Sequence, residues 1–170
     1  IALSKAFAEM PVRPKRSILF IAFAGEEIGL MGSKFYTENP LLPLSNTVAM
    51  INLDMIGRNN PDSLCMIGSK RCPELAEIFR LENKKTGFIF DYTKEKFLPY
   101  SDQANFLKKK VPILFLTTDE SKDYHKVSDH AELLDYQKAS RVTKLAFYSI
   151  LHIANDYAHY QILSSVISLF

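Results

Sequence analysis

Ser17-Ile18-Leu19-Phe20-Ile21-Ala22-Phe23-Ala24-Gly25-Glu26-Glu27-Ile28-Gly29-Leu30-Met31-Gly32-Ser33 is the stretch that decides the fold. From Ile18 to Ala24 it is apolar without a break, the longest such run in the chain. Continuous rather than alternating hydrophobicity marks a strand covered on both faces, as in a parallel sheet flanked by helices. The run ends at Gly25 and presents two adjacent carboxylates, Glu26 and Glu27, at the strand's carboxyl end. A short helix follows over residues 30–38 and is stopped by Asn39-Pro40, because the residue before a proline is pushed out of helical conformation.

Working outward, the same grammar repeats. Residues 47–53 read as a second buried strand ending at Asp54, and residues 64–67 as a shorter third. Pro73 in a first turn, with Leu75, Ile78 and Phe79 at helical spacing, predicts a helix to about residue 85. Residues 88–92 fit an edge strand. Ser101 is placed to cap a helix running through residue 110, and residues 111–116 form the next apolar strand. The stripe Ala139, Val142, Ala146, Ile150, Ile153 and Tyr157 predicts a final helix over residues 136–160. Upstream, residues 1–10 have helical spacing but no N-cap, and read as the end of a helix whose start is missing, broken by Pro11 and Pro14. Alternating strands and helices imply a single α/β domain over residues 1–170, three layers deep, with a mostly parallel sheet flanked by helices. In such sheets ligands bind beyond the carboxyl ends of strands.

Composition narrows the function. Apolar residues make up 47% of the 170, charged residues 24%, with six glycines and eight prolines, an ordinary globular balance that excludes disorder and coiled coil. A net charge of +2 is too small to draw the chain to nucleic acid or an anionic membrane. Neither the 18–24 run nor the tail from Ile162 to Phe170, broken by Ser164, Ser165 and Ser168, approaches the roughly 20 residues that span a bilayer. No basic, apolar, small-residue pattern opens the sequence. Cys65 and Cys72 are too few for a disulfide framework, fit no zinc-finger spacing, and leave one disulfide open.

Three strand ends carry acids or imidazole: Glu26 and Glu27 after the first, Asp54 after the second, and His125 in the loop after the strand that ends near Leu116. If those strands are parallel, all four groups emerge on one sheet edge, which is a metal-site geometry. Adjacent carboxylates suit a division of labour in which one ligates a divalent metal and its neighbour takes the proton of the water that the metal activates. Taken singly, each has a plainer reading: a solvated pair for the glutamates, a turn cap for Asp54, a surface ring for His125. Tyr124 is an amphipathic surface aromatic by default, though its phenol is placed to reach a polarised carbonyl. His130, His152 and His159 carry no such pattern, the last two being read as residues of the final helix.

The first motif, then Asn52-Leu53-Asp54-Met55-Ile56-Gly57, then Tyr124-His125 four residues before Asp129, together resemble the co-catalytic zinc aminopeptidases, a group that includes the glutamate carboxypeptidase II enzymes. The resemblance runs from about Arg16 to the final helix. It implies a zinc-exopeptidase (phosphorylase/hydrolase-like) fold and hydrolysis of N-terminal residues from a peptide substrate. It also implies Glu26 as general base, Glu27 and His125 on one zinc, Asp54 on the other, and Tyr124 supporting the oxyanion. It favours a periplasmic or secreted setting.

Two departures from that family stand in the sequence. The family's first metal-binding His and its bridging Asp lie upstream of the strand ending in Gly-Glu-Glu, and no His or Asp precedes Ile18 here. The resemblance therefore implies the C-terminal part of a longer catalytic domain, with half of the metal cage outside this sequence and zinc held weakly or not at all by the fragment alone. The second departure is Ser101-Asp102-Gln103 where the family has Ser-Asp-His, with Lys110 where Gly commonly precedes the next strand. Two other readings stay open: a single-zinc glutaminyl cyclase of the same fold, and a peptidase-like binding module without catalysis.

Overall fold

The structure, a computed structural model, describes residues 1–163. Most of the apolar tail that begins at Ile162 therefore lies outside the described residues. In chain order the elements are α1 (Ala2–Ala8), α2 (Met31–Glu38), β1 (Met50–Leu53), β2 (Ser63–Ile67), α3 (Pro73–Glu82), β3 (Ile89–Asp91), α4 (Gln103–Lys108), β4 (Ile113–Thr117) and α5 (Tyr136–Asn155). No helix of the described residues is long and apolar enough to cross a membrane.

The strands form one sheet in the order β1-β4-β2-β3. β1 with β4 and β2 with β3 are parallel, while β2 and β4 are antiparallel. Two of the three pairings are parallel, in keeping with a mostly parallel sheet, and the antiparallel one comes from the link between β1 and β2. Residues 54–62 carry no helix and are too few for a crossover of a dozen or more residues, so β2 returns in the opposite direction.

Alternation along β4 explains the three layers. Leu114 and Leu116 face a buried cluster with Leu75 and Phe79 of α3 and Val142 and Leu145 of α5. Ile113 and Phe115 face a second cluster with Phe106 of α4, against which Tyr36 of α2 packs. A strand covered on both faces needs apolar residues at every position, which is why residues 111–116 show no period of two.

Residues 17–24 depart from the expectation. The run enters no ladder, and Leu19, Phe20 and Ile21 remain 52%, 43% and 40% exposed. Uninterrupted hydrophobicity encodes a demand for cover, whereas a ladder also requires a neighbouring backbone with free N–H and C=O groups, and the pattern does not name that neighbour. The run is instead held at its ends. Arg16 N donates to Ala154 O at 2.9 Å, Gly32 N donates to Ala24 O at 2.8 Å, and the Phe23 ring sits 5.9 Å from Phe106 and 6.2 Å from Tyr36.

Smaller differences have local causes. α4 begins at Gln103 with Asp102 at the cap position and no capping bond, because the Ser101 hydroxyl is engaged elsewhere. α5 stops at Asn155: the next residue, Asp156, is extended, and its carboxylate accepts from Ala158 N and Tyr160 Oη, so a local side-chain turn replaces the helical bonds. Tyr157 and His159 consequently lie outside the helix, and Tyr157 is exposed. Lys110, where the family has glycine, adopts a left-handed φ of 62°, the conformation that glycine takes without steric cost.

Cys65 and Cys72 are free and buried, and burial pushes both thiols up to about 11. Since thiolate is the reactive form, neither is expected to react with a disulfide reagent at pH 8 until the chain unfolds, when both react. A fast-reacting thiol in the native protein contradicts this packing.

Candidate active site

The parallel pairing of β1 and β4 sets the site. Their carboxyl ends lie side by side, and the pairing is prolonged by Asp54 N donating to Leu116 O and Thr118 N donating to Met55 O. Asp54 and the loop that carries His125 therefore leave the sheet at one edge. The Glu26-Glu27 turn reaches the same place without belonging to the sheet. Gly29 N and Leu30 N donate to Glu26 O and Met31 N donates to Gly25 O, folding the backbone tightly into α2. Gly29 takes φ 108° in this turn, which an L side chain rarely adopts.

Across 98 positions of sequence, His125 Nε2 comes within 3.0 Å of Glu27 Oε1. Both side chains are more than half exposed, at 54% and 67%. The Tyr124 ring stacks on His125 with centroids 3.8 Å apart. Glu26 lies deeper. Burial raises its pKa, the charges of Asp54, Glu27 and Asp102 raise it further, and His125 opposes them. The Tyr124 phenol is raised too, by burial first and then by Glu27, Glu120, Glu26 and Asp54. All five residues singled out in the sequence thus belong to one electrostatic neighbourhood.

Behind them lies a polar relay that the sequence reading did not find. Asn52 Nδ2 donates to Gln103 Oε1 at 2.8 Å and to Ser101 Oγ at 2.9 Å, Gln103 Nε2 donates to Leu98 O at 2.8 Å, and Ser101 Oγ donates to Asp54 Oδ2 at 3.0 Å. This relay fixes the face that Asp54 presents. Gln103 offers one acceptor and one donor at its two ends, as a neutral imidazole does, which accommodates the departure from the family's His. Asp102 is also buried. Its pKa is raised by burial, against a Ser33 hydrogen bond and with a smaller push from Asp54, and its Oδ1 has no hydrogen-bond partner among the described residues. The available signal was Asn52, a polar residue inside an otherwise apolar strand.

The donor chemistry fits zinc in part. Two ligands on one tetrahedral zinc at about 2.0–2.1 Å lie roughly 3.3 Å apart, close to the Glu27–His125 spacing, so the pair suits two corners of a shell. Among the described residues no group of three His, Cys, Asp or Glu gathers as a closed metal cage.

The chain matches the pattern of Peptidase family M28 over residues 1–150. It is 40% identical over 62 residues to a probable zinc metalloprotease of Pyrenophora tritici-repentis, covering 36% of this chain and 14% of that protein. It is 25% identical over 175 residues to the putative zinc metalloprotease TRE2 of Saccharomyces cerevisiae, covering 91% of this chain and 21% of that protein. The fold superposes on BSAP, a zinc aminopeptidase from Bacillus subtilis, with a TM-score of 0.76 at 20% identity, covering 95% of this chain and 42% of that one. The chain thus spans 21% or less of these curated relatives and under half of the solved structure. With the family pattern extending over residues 1–150, the chain belongs to peptidase family M28.

Proposed function

We propose that the protein is a zinc-dependent aminopeptidase that removes N-terminal residues from peptides. Glu26 is the general base, Glu27 and His125 hold one zinc, Asp54 serves a second, and Tyr124 supports the oxyanion. The observation that carries this reading is the Glu27–His125 contact at the strand edge that Asp54 also leaves.

Zinc, when bound, supplies Lewis-acid polarisation of the scissile carbonyl and makes water acidic enough to react near neutral pH. The remaining work falls to the chain's own groups. Glu26, kept basic by burial and by neighbouring negative charge, takes the proton of the attacking water on a carboxylate oxygen and passes it to the leaving amine nitrogen. Tyr124 keeps its phenolic proton at neutral pH, because burial and surrounding carboxylates disfavour the phenolate, and it donates that O–H to the developing oxyanion. Metal corners beyond Glu27 and His125 fall to water, substrate or donors outside the described residues.

The intact protein is expected to hydrolyse an aminoacyl anilide, to lose that activity on chelation and to regain it with Zn²⁺. The same anilide acetylated on its amine is expected to react at least about a hundredfold more slowly, because a site built to bind a charged amine leaves its polar groups unpaired when that amine is blocked. Equal rates on the free and acetylated substrates, or activity unaffected by exhaustive chelation, overturn the reading.

A further inference from the structure

We propose that Arg58 is a positioning residue whose guanidinium fixes the loop bearing Tyr124 and His125 against the turn that follows Asp54, and so sets the spacing between the two candidate metal ligands. This inference rests on the reading of Asp54 and His125 as parts of one site.

Arg58 stands four residues past Asp54, and Asp123 and Asp129 bracket the Tyr124-His125 pair. Arg58 Nη2 donates to Asp123 Oδ2 at 2.5 Å and Nη1 to Asp129 Oδ1 at 2.6 Å. One planar fork thus grips the loop at both ends. The arginine and Asp123 side chains are only 12% and 11% exposed, which places the pairing away from most solvent screening. Within the loop, Ser128 Oγ donates to Asp123 Oδ1 at 2.9 Å, Lys126 N to Asp123 O at 2.9 Å, and Asp129 N to Lys126 O at 3.1 Å.

The base of the fork is itself immobilised. Arg58 N donates to Thr118 Oγ1 at 3.2 Å, and the buried Lys138 donates its Nζ to Arg58 O and Asn60 O, both at 2.6 Å. Asn59 Nδ2 donates to Thr118 O at 2.8 Å, tying the same turn to the end of β4. The loop from 123 to 129 is therefore the part that the fork restrains.

Backbone conformation explains why a restraint is needed. His125 has φ 56° and Met55, next to Asp54, has φ 54°, both in the left-handed region and neither a glycine. Such residues persist only where their surroundings over-determine them. Without the guanidinium, Asp123 and Asp129 lose the cation they share, and the loop loses its anchor to the turn after Asp54. Lysine keeps the positive charge but lacks the rigid fork that reaches two carboxylates in fixed directions.

The test compares Arg58→Lys, Asp129→Asn and their double variant in the full chain. Amides of Tyr124, Lys126 and Asp129 are expected to exchange with solvent at least about tenfold faster in each single variant, while β4 amides stay within about twofold of wild type. Zinc titrated into the intact protein is expected to bind about 10–100-fold more weakly, the usual effect of losing an outer-shell partner. The double variant adds little to the larger single effect, because both changes break one linkage. Unchanged loop exchange in both single variants, or effects that add fully in the double, overturn the proposal. If the wild-type protein takes up no zinc, the peptidase reading fails by itself and the exchange comparison still decides the clamp.

Discussion

Glu26→Gln in the intact protein is expected to cut turnover of an aminoacyl anilide by at least about a hundredfold with zinc content near normal, the scale on which general bases act. The amide keeps the shape of the carboxylate and removes its capacity to take a proton. Glu26 is the less exposed member of the pair, with Asp54, Glu27 and Asp102 nearby, and partial burial together with those charges raises its pKa. Glu27 differs: it is exposed and meets His125 at 3.0 Å. Glu27→Gln is therefore expected to lower zinc content and turnover together, since on the proposed assignment it takes a charged donor from the metal site. Metal analysis and initial rates on the two purified variants separate the roles. Near wild-type turnover in Glu26→Gln, or zinc loss equal to that of Glu27→Gln, defeats the assignment.

What the sequence made legible follows from which constraints are local. Residues 111–116 announced a strand buried on both faces because its two sides pack on α3/α5 and on α4/α2, and that demand is written at every position. The candidate acids were legible because each terminates an apolar segment; for Asp54 that segment is a strand of the sheet, whereas for Glu26 and Glu27 it is a run that enters no ladder. Residues 17–24 misled for the complementary reason: hydrophobicity specifies cover and says nothing about a pairing partner. Arg58 was invisible, and Ser101 and Asp102 were legible only as a cap and as part of a motif, without the contacts they make, because those contacts depend on loops from distant positions meeting in space. Ser101, for instance, reads as a helix cap in one dimension and is a hydroxyl donating to Asp54 in three.

Gly32→Ala is the substitution that tests how the Gly-Glu-Glu turn is held. Gly32 lies in the first turn of α2, where its N–H donates to Ala24 O at 2.8 Å. A Cβ there meets Ala24 N and Ala24 O, each at 2.7 Å, and Phe23 Cβ at 3.2 Å. Two of those three atoms are backbone and cannot rotate away. Alanine in a helix gains about 1 kcal/mol over glycine. Against that gain, overpacking costs about 1–3 kcal/mol and a weakened hydrogen bond another 0.5–1.5 kcal/mol or so. The balance falls on destabilisation by roughly 1–3 kcal/mol, a drop of several degrees in Tm for a protein of this size. Because Ala24 is two residues before Glu26, the displacement also reaches the proposed base, so turnover falls in the fraction that remains folded. A Gly32→Ala protein as stable as wild type, or more so, means that residues 23–24 move freely away from α2, and the rigid seat inferred for Glu26 and Glu27 is then lost with them.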